Sequence, residues 1–221
     1  MRIRPAGAHA LLLDCSAPAD VAQVALVDAW RAELWRRRER GELTAVEIVP
    51  AASTVLLDGL PDPTATAQLL SRWAPTVSAA VNDAEGAAER MRERESGEVV
   101  VPVVFDGPDL PAVAEHWGTD LPAVLRRLTG TPFRVAFCGF APGFPYLTGL
   151  PAELALPRLA TPRPRVPAGS VALAGPYAGI YPSASPGGWL LVGRTELVLF
   201  DVHADPPARL GPGTRVRMAA A

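Results

Sequence analysis

The sequence predicts two parts of different class: an α+β N-terminal part, residues 1–97, and an all-β C-terminal part, residues 98–221, closed into a small barrel. Proline and glycine usage shifts along the chain. Residues 1–100 hold 6 Pro and 5 Gly, against 18 Pro and 14 Gly in residues 101–221. Helical spacing of apolar residues is found early in the chain, where Val24, Val27, Trp30 and Leu34 recur on one face. Short β-branched or alternating runs separated by turn residues dominate the remainder. The charged stretch Glu89–Gly97 is the natural seam, read as a solvated helix end or linker.

In chain order, Ala8–Leu13 reads as a strand. A helix follows, with Ser16 or Asp20 as its cap and with Asp28, Arg31 and Arg36 facing outward. Trp30 and Trp35 suit core or subunit contacts. Val46–Val49 and Ser53–Leu57 form a strand pair or one bent strand, Ala65–Trp73 a second helix and Val99–Phe105 another strand. This order suits a ferredoxin-like sandwich. Beyond it, a short helix runs through Ala112, Val113 and Trp117, and Thr119-Asp120 caps another over Leu121–Leu128. Phe133, Val135 and Phe137 alternate as a strand. Leu197–Phe200 and Arg215–Met218 are expected to close the barrel.

Composition narrows the function. The net charge is −2, which indicates neither a nucleic-acid nor a membrane partner. All 21 basic residues are Arg. A P-loop lysine, a Schiff-base lysine and a biotinyl-lysine are therefore excluded from this chain. Cys15 and Cys138 make no CxxC pattern, and His9, His116 and His203 have no metal-ligand spacing, so no metal is expected. The apolar run Ala8–Leu13 is too short for a span and lacks a cleavage site, so a cytoplasmic protein is expected.

The chemistry concentrates between Phe137 and Thr195. Here stand Gly139-Phe140-Ala141-Pro142-Gly143-Phe144-Pro145-Tyr146-Leu147, Arg163-Pro164-Arg165-Val166-Pro167-Ala168-Gly169-Ser170-Val171, Gly179-Ile180-Tyr181-Pro182, Ser185-Pro186-Gly187-Gly188-Trp189 and Gly193-Arg194-Thr195. Such loops hold defined shapes and present aromatic and guanidinium groups, as a binding groove on a β scaffold requires.

This stretch resembles the family of the 5-oxoprolinase B subunit, KipI and allophanate hydrolase subunit 1, the carboxyltransferase C–D subdomain. Weaker matches lie at Asp106-Gly107-Pro108-Asp109-Leu110 and Leu199-Phe200-Asp201. The resemblance implies a ferredoxin-like domain followed by a cyclophilin-like barrel. It also implies partners: a homologous C-type subunit similar to allophanate hydrolase subunit 2, and an A-type subunit. Together these would form an ATP-dependent 5-oxoprolinase, a hydrolase that opens 5-oxo-L-proline to L-glutamate, with this chain inactive alone. Two rival roles come with the family: inhibition of a sensor histidine kinase, and a carboxyltransferase half in urea or allophanate metabolism. The chain departs from the family at Leu128-Thr129, where many members carry His-Thr, and at Tyr177-Ala178, where many carry Gln-Thr.

Within that frame Arg194 and Arg165 are the expected oxyanion or carboxylate donors, because guanidinium binds such groups in bidentate fashion. Arg163 ranks lower, since one of two Arg flanking Pro164 should point to solvent. Ser170 joins the catalytic set and Ser185 the substrate-binding set as hydroxyl donors. Phe140, Phe144, Tyr146, Tyr181 and Trp189 are the expected walls for a small cyclic amide. Asp106, Asp109 and Asp201 suit helix capping.

Overall fold

The computed structural model describes residues 1–16, 23–82 and 97–221. The chain divides into two compact units, residues 1–94 and 95–221. The Glu89–Ser96 part of the expected seam, and the start of the first helix with Asp20, lie outside the described residues.

The first unit is a four-stranded antiparallel sheet with two helices. Strands β1 (Arg2–Pro5), β2 (Leu11–Asp14), β3 (Glu47–Pro50) and β4 (Thr54–Asp58) stand in the order β1-β2-β4-β3. Helices α1 (Gln23–Glu39) and α2 (Pro63–Asn82) bury Leu26, Val27, Trp30, Leu34, Leu70 and Trp73 together with Leu11, Leu13, Val55 and Leu57. A ferredoxin-like order would end on a strand after the second helix. Among the described residues of this unit the element order is strand–strand–helix–strand–strand–helix, so a ferredoxin-like order is not confirmed. The strand beside β2 is β1, brought there by a hairpin in which the Ala6 amide donates to the Ala10 carbonyl (3.0 Å). Sequence reasoning did not include β1, since Arg2-Ile3-Arg4-Pro5 carries a single apolar side chain between two charges and makes no apolar run. Helix α2 runs well past Trp73 and carries Pro75 inside it. The Ser16 hydroxyl and amide both bond Asp14, and the turn that Ser16 is expected to cap lies outside the described residues.

The second unit is built on a seven-stranded mixed sheet. It comprises β5 (Val99–Val103), β6 (Phe133–Cys138), β7 (Pro145–Thr148), β9 (Ser170–Ala174), β10 (Tyr177–Ile180), β12 (Leu190–Arg194) and β13 (Arg215–Ala220). Their order is β12-β9-β10-β7-β6-β13-β5, with β13 parallel to β5 and the other pairs antiparallel. A two-bond bridge nearly closes the ring: Val104 and Arg194 exchange both amide–carbonyl bonds at 2.9 Å. Gly193 makes that seam possible, because a Cβ there would lie 2.5 Å from the Val104 carbonyl oxygen. Val99–Val103 therefore belongs to the barrel. Leu197–Phe200 forms no strand and contributes only an isolated bridge from Phe200 to Ala208.

"All-β" describes the sheet alone. Helices α3 (Leu110–His116) and α4 (Leu121–Gly130) belong to the same unit and bury Leu110, Val113, Val124 and Leu128 against the barrel. Asp120 caps α4 as expected, its carboxylate accepting from the Ala123 amide (2.8 Å). Two remaining strands, β8 (Arg163–Val166) and β11 (Ser185–Gly187), pair with each other as a separate ribbon.

Strand alternation places the site. On β9, Val171 and Leu173 enter the main core, whereas Ala172 and Ala174 face a second cluster. On β12 Leu190 and Val192 enter the main core and Leu191 the second cluster. Both faces of this wall are therefore buried, which is why Ser170–Ala174 reads as one continuous small and apolar run.

Candidate functional site

The second cluster lies on the face of β7-β10-β9-β12 opposite the main core, among Phe144, Tyr146, Tyr181 and Trp189. Their rings meet edge to face. Phe144 is 5.1 Å from Tyr181 at 90° and 5.5 Å from Trp189 at 86°, and Tyr146 is 5.5 Å from Trp189. Small residues make room for them. A Cβ on Gly179 would stand 2.9 Å from both Phe144 and Trp189, and one on Gly187 would overlap the Tyr181 hydroxyl. Two glycine-rich motifs thus have one physical purpose, close ring packing against a backbone.

The loop Gly139–Phe144 completes the wall. It is held by amide–carbonyl bonds Gly139 to Phe144 (3.2 Å) and Phe144 to Ala141 (3.0 Å). Phe140 has φ of +68°, a left-handed conformation that is costly for a bulky side chain. It is 61% exposed, yet its ring reaches 5.4 Å from Phe144.

Between these rings lies a cavity of about 370 Å³, whose rim is completed by Arg158, Leu159, Pro162 and Gly188. Burial pushes the Tyr146 and Tyr181 hydroxyls above their ordinary pKa, partly offset by the Arg158 charge. Both are therefore protonated donors at neutral pH. No hydrogen bond engages either hydroxyl among the described residues.

The structure brings five of the expected wall residues, Phe140, Phe144, Tyr146, Tyr181 and Trp189, around this one cavity. The expected polar groups are placed elsewhere. Arg194 is exposed at the barrel seam and pairs with Asp106 (2.9 Å). Ser170 is buried on β9, where its carbonyl accepts from the Tyr181 amide (2.9 Å). The Ser185 hydroxyl oxygen is buried with no hydrogen-bond partner among the described residues. The two Arg flanking Pro164 do diverge, but in the reverse sense from that expected. Arg165 is exposed, whereas Arg163 turns inward to Asp109 (2.7 Å) and donates to the Trp189 carbonyl (3.4 Å).

The three Asp residues differ from the capping expectation. Asp109 stands at the N-cap position of α3 without capping it, because its carboxylate accepts from Arg163 and from the Leu191 amide (2.6 Å). Asp106 pairs with Arg194, and Asp201 accepts from the His203 amide in a turn (2.9 Å). Arg158 was missed: it follows Pro157 in a loop without a motif, and only the fold carries it to the cavity.

Residues 1–210 match the family described as carboxyltransferase domain, subdomain C and D. The chain belongs to the carboxyltransferase C–D family. Three relatives are named as the B subunit of 5-oxoprolinase. The Haemophilus influenzae protein is 34% identical over 225 residues, covering 98% of this chain and 96% of its own. The Escherichia coli O157:H7 protein is 49% identical over 57% of this chain, and the Bacillus subtilis protein 43% identical over 54%. Those two matches span 59% and 51% of the relatives' own lengths.

The crystal structure of TTHA0988 superimposes with a TM-score of 0.70 at 33% identity, over 96% of this chain and 40% of that one. K. lactis urea amidolyase gives 0.66 at 22% identity, over 99% of this chain and 15% of that one, a likeness of fold.

In this member of the carboxyltransferase C–D family the departures at Leu128 and at Tyr177-Ala178 fall differently. Leu128 and Ala178 are buried in the main core. Tyr177 packs edge-on against Tyr146 (5.6 Å) and so touches the cavity wall at one remove. No helix among the described residues is long and apolar enough to cross a membrane.

Proposed function

We propose that this chain is the B-type subunit of an ATP-dependent 5-oxoprolinase complex, acting with a homologous C-type subunit and an A-type subunit. The cavity walled by Phe144, Tyr146, Tyr181 and Trp189 would hold the small cyclic amide. The observation that carries the reading is the 34% identity, over nearly the full length of both chains, to the Haemophilus influenzae protein named as the B subunit of 5-oxoprolinase.

The aromatic walls would exclude water and grip the ring faces. Tyr146 and Tyr181 would donate to the amide oxygen, the group that must be polarised or activated before a lactam opens. With no Lys in the chain, ATP phosphates would be held by Arg side chains or by another subunit. The nucleophile for ring opening is assigned to the assembly, not to Ser170, which is buried on β9 and outside the cavity lining.

The test is glutamate release from 5-oxo-L-proline and ATP by the chain alone and then mixed with its C- and A-type partners. Turnover only in the mixture is expected. Absence of turnover in every mixture of folded, associated proteins overturns the reading. The family description names a carboxyltransferase domain, and the second reading is therefore carboxyl transfer, here taken to run from biotin to a small amide such as urea. Biotin-dependent carboxylation of urea by the same mixture, in place of lactam turnover, would establish it.

A further inference from the structure

We propose that the cavity selects a five- or six-membered ring bearing an ionised carboxylate, and that Arg158 is the anchor for that carboxylate. This rests on the reading of the cavity as the substrate site and deepens it to a chemical class. The lining includes one guanidinium, Arg158, and no Asp or Glu. A pocket with a cation and no carboxylate of its own is complementary to an anion.

Three other Arg side chains of the second unit are paired: Arg163 with Asp109, Arg194 with Asp106 and Arg217 with Glu98. Arg158 has no carboxylate partner among the described residues. Its backbone is nevertheless fixed on both sides. Leu156 and Gly175 exchange two amide–carbonyl bonds (3.1 and 2.7 Å), and the Leu159 amide donates to the Gly188 carbonyl (2.8 Å). The Trp117 indole adds a bond to the Leu154 carbonyl (2.9 Å). A cation on a pinned segment at the rim of an aromatic cavity needs little reordering to meet a ligand.

The volume, about 370 Å³, lies at the small end for ligand sites and suits a single ring. Phe144 and Trp189 would pack against the ring, and the Tyr146 and Tyr181 hydroxyls would take its carbonyl. The carboxylate would then project toward Arg158. A neutral amide such as urea would leave Arg158 unused, so the same geometry disfavours it.

The experiment measures calorimetric binding of 5-oxo-L-proline, 2-pyrrolidinone (the same ring without the carboxylate) and urea to the chain. The expected result is a preference for 5-oxo-L-proline over 2-pyrrolidinone of about tenfold or more, the worth of one charge-assisted contact. Arg158→Gln should remove that preference, Arg158→Lys should retain part of it, and Arg217→Gln should leave it unchanged.

In the assembled complex, Arg158→Gln should raise KM for 5-oxo-L-proline with kcat little altered. Equal binding of the two lactams overturns the proposal. So does an undiminished preference in a folded Arg158→Gln variant, or no saturable binding together with an unaltered KM. Chain-dependent glutamate release that survives Arg158→Gln with unchanged KM leaves the subunit reading standing and removes the anchor. Carboxylate-selective binding without glutamate release in any mixture does the reverse.

Discussion

At the scale of single residues, the site depends as much on missing side chains as on present ones. Tyr181 is buried, and its hydroxyl occupies the space that a Cβ on Gly187 would need. Gly187→Ala should therefore force the ring or the β11 backbone to move, at a cost of about 1–3 kcal/mol. Urea denaturation would read the loss, and lactam binding should weaken with it. A variant as stable as the parent, with unchanged binding, would contradict the packing described for Tyr181. These ring positions were legible in the sequence as aromatic residues on Gly- and Pro-rich loops, a pattern that suits either a groove or the tight turns of a packed barrel. Only the fold shows them around one cavity. Arg158 was not legible, since its distance from the rings along the chain is closed only by the fold.

At the scale of elements, the β8–β11 ribbon is braced to the barrel by one carboxylate. Asp109 receives both Arg163 and the Leu191 amide in a half-buried setting, with side-chain exposures of 12% and 27% for the ion pair. Removing the charge leaves Arg163 unpaired. Asp109→Asn should cost about 1–3 kcal/mol. Asp106→Asn breaks the exposed pair with Arg194 and should cost less than about 1 kcal/mol. Urea midpoints for the two variants would compare them directly, and equal losses would remove the bracing role from Asp109. Sequence reasoning placed a short helix after the Asp106–Leu110 turn but assigned the Asp109 carboxylate to capping, because capping is a local rule and Arg163 is distant in sequence.

At the scale of the whole molecule, one buried and one half-buried thiol, Cys15 and Cys138, give stability a pH dependence. Burial raises both Cys15 and Cys138 from the ordinary 9.0 to about 11. An unfolded thiol loses its proton above pH 9.0, whereas the folded one keeps it. The folded state thus binds more protons across this window, so stability is full below pH 9.0 and falls as pH rises toward about 11. Urea midpoints taken from pH 8 to 10 should decline, and the decline should be shallower after Cys15→Ala with Cys138→Ala. An identical slope in the double variant would show that the thiols are not its source.

What the sequence determined by itself was local and periodic: the two-part division of composition, the strands with alternating or β-branched residues, the capped helix at Asp120 and the aromatic identity of the cavity wall. Tertiary structure alone decided three further things. It set β1 beside β2 in the first unit, laid β5 parallel to β13 in the barrel, and placed Arg158, rather than Arg194, Arg165 or Ser170, at the cavity. The reason is physical. Periodicity reports which face of an element is buried, but not against which other element. Of two Arg residues flanking a proline, the inward one is chosen by whichever carboxylate the fold brings near, and here Asp109 selects Arg163 and leaves Arg165 to solvent.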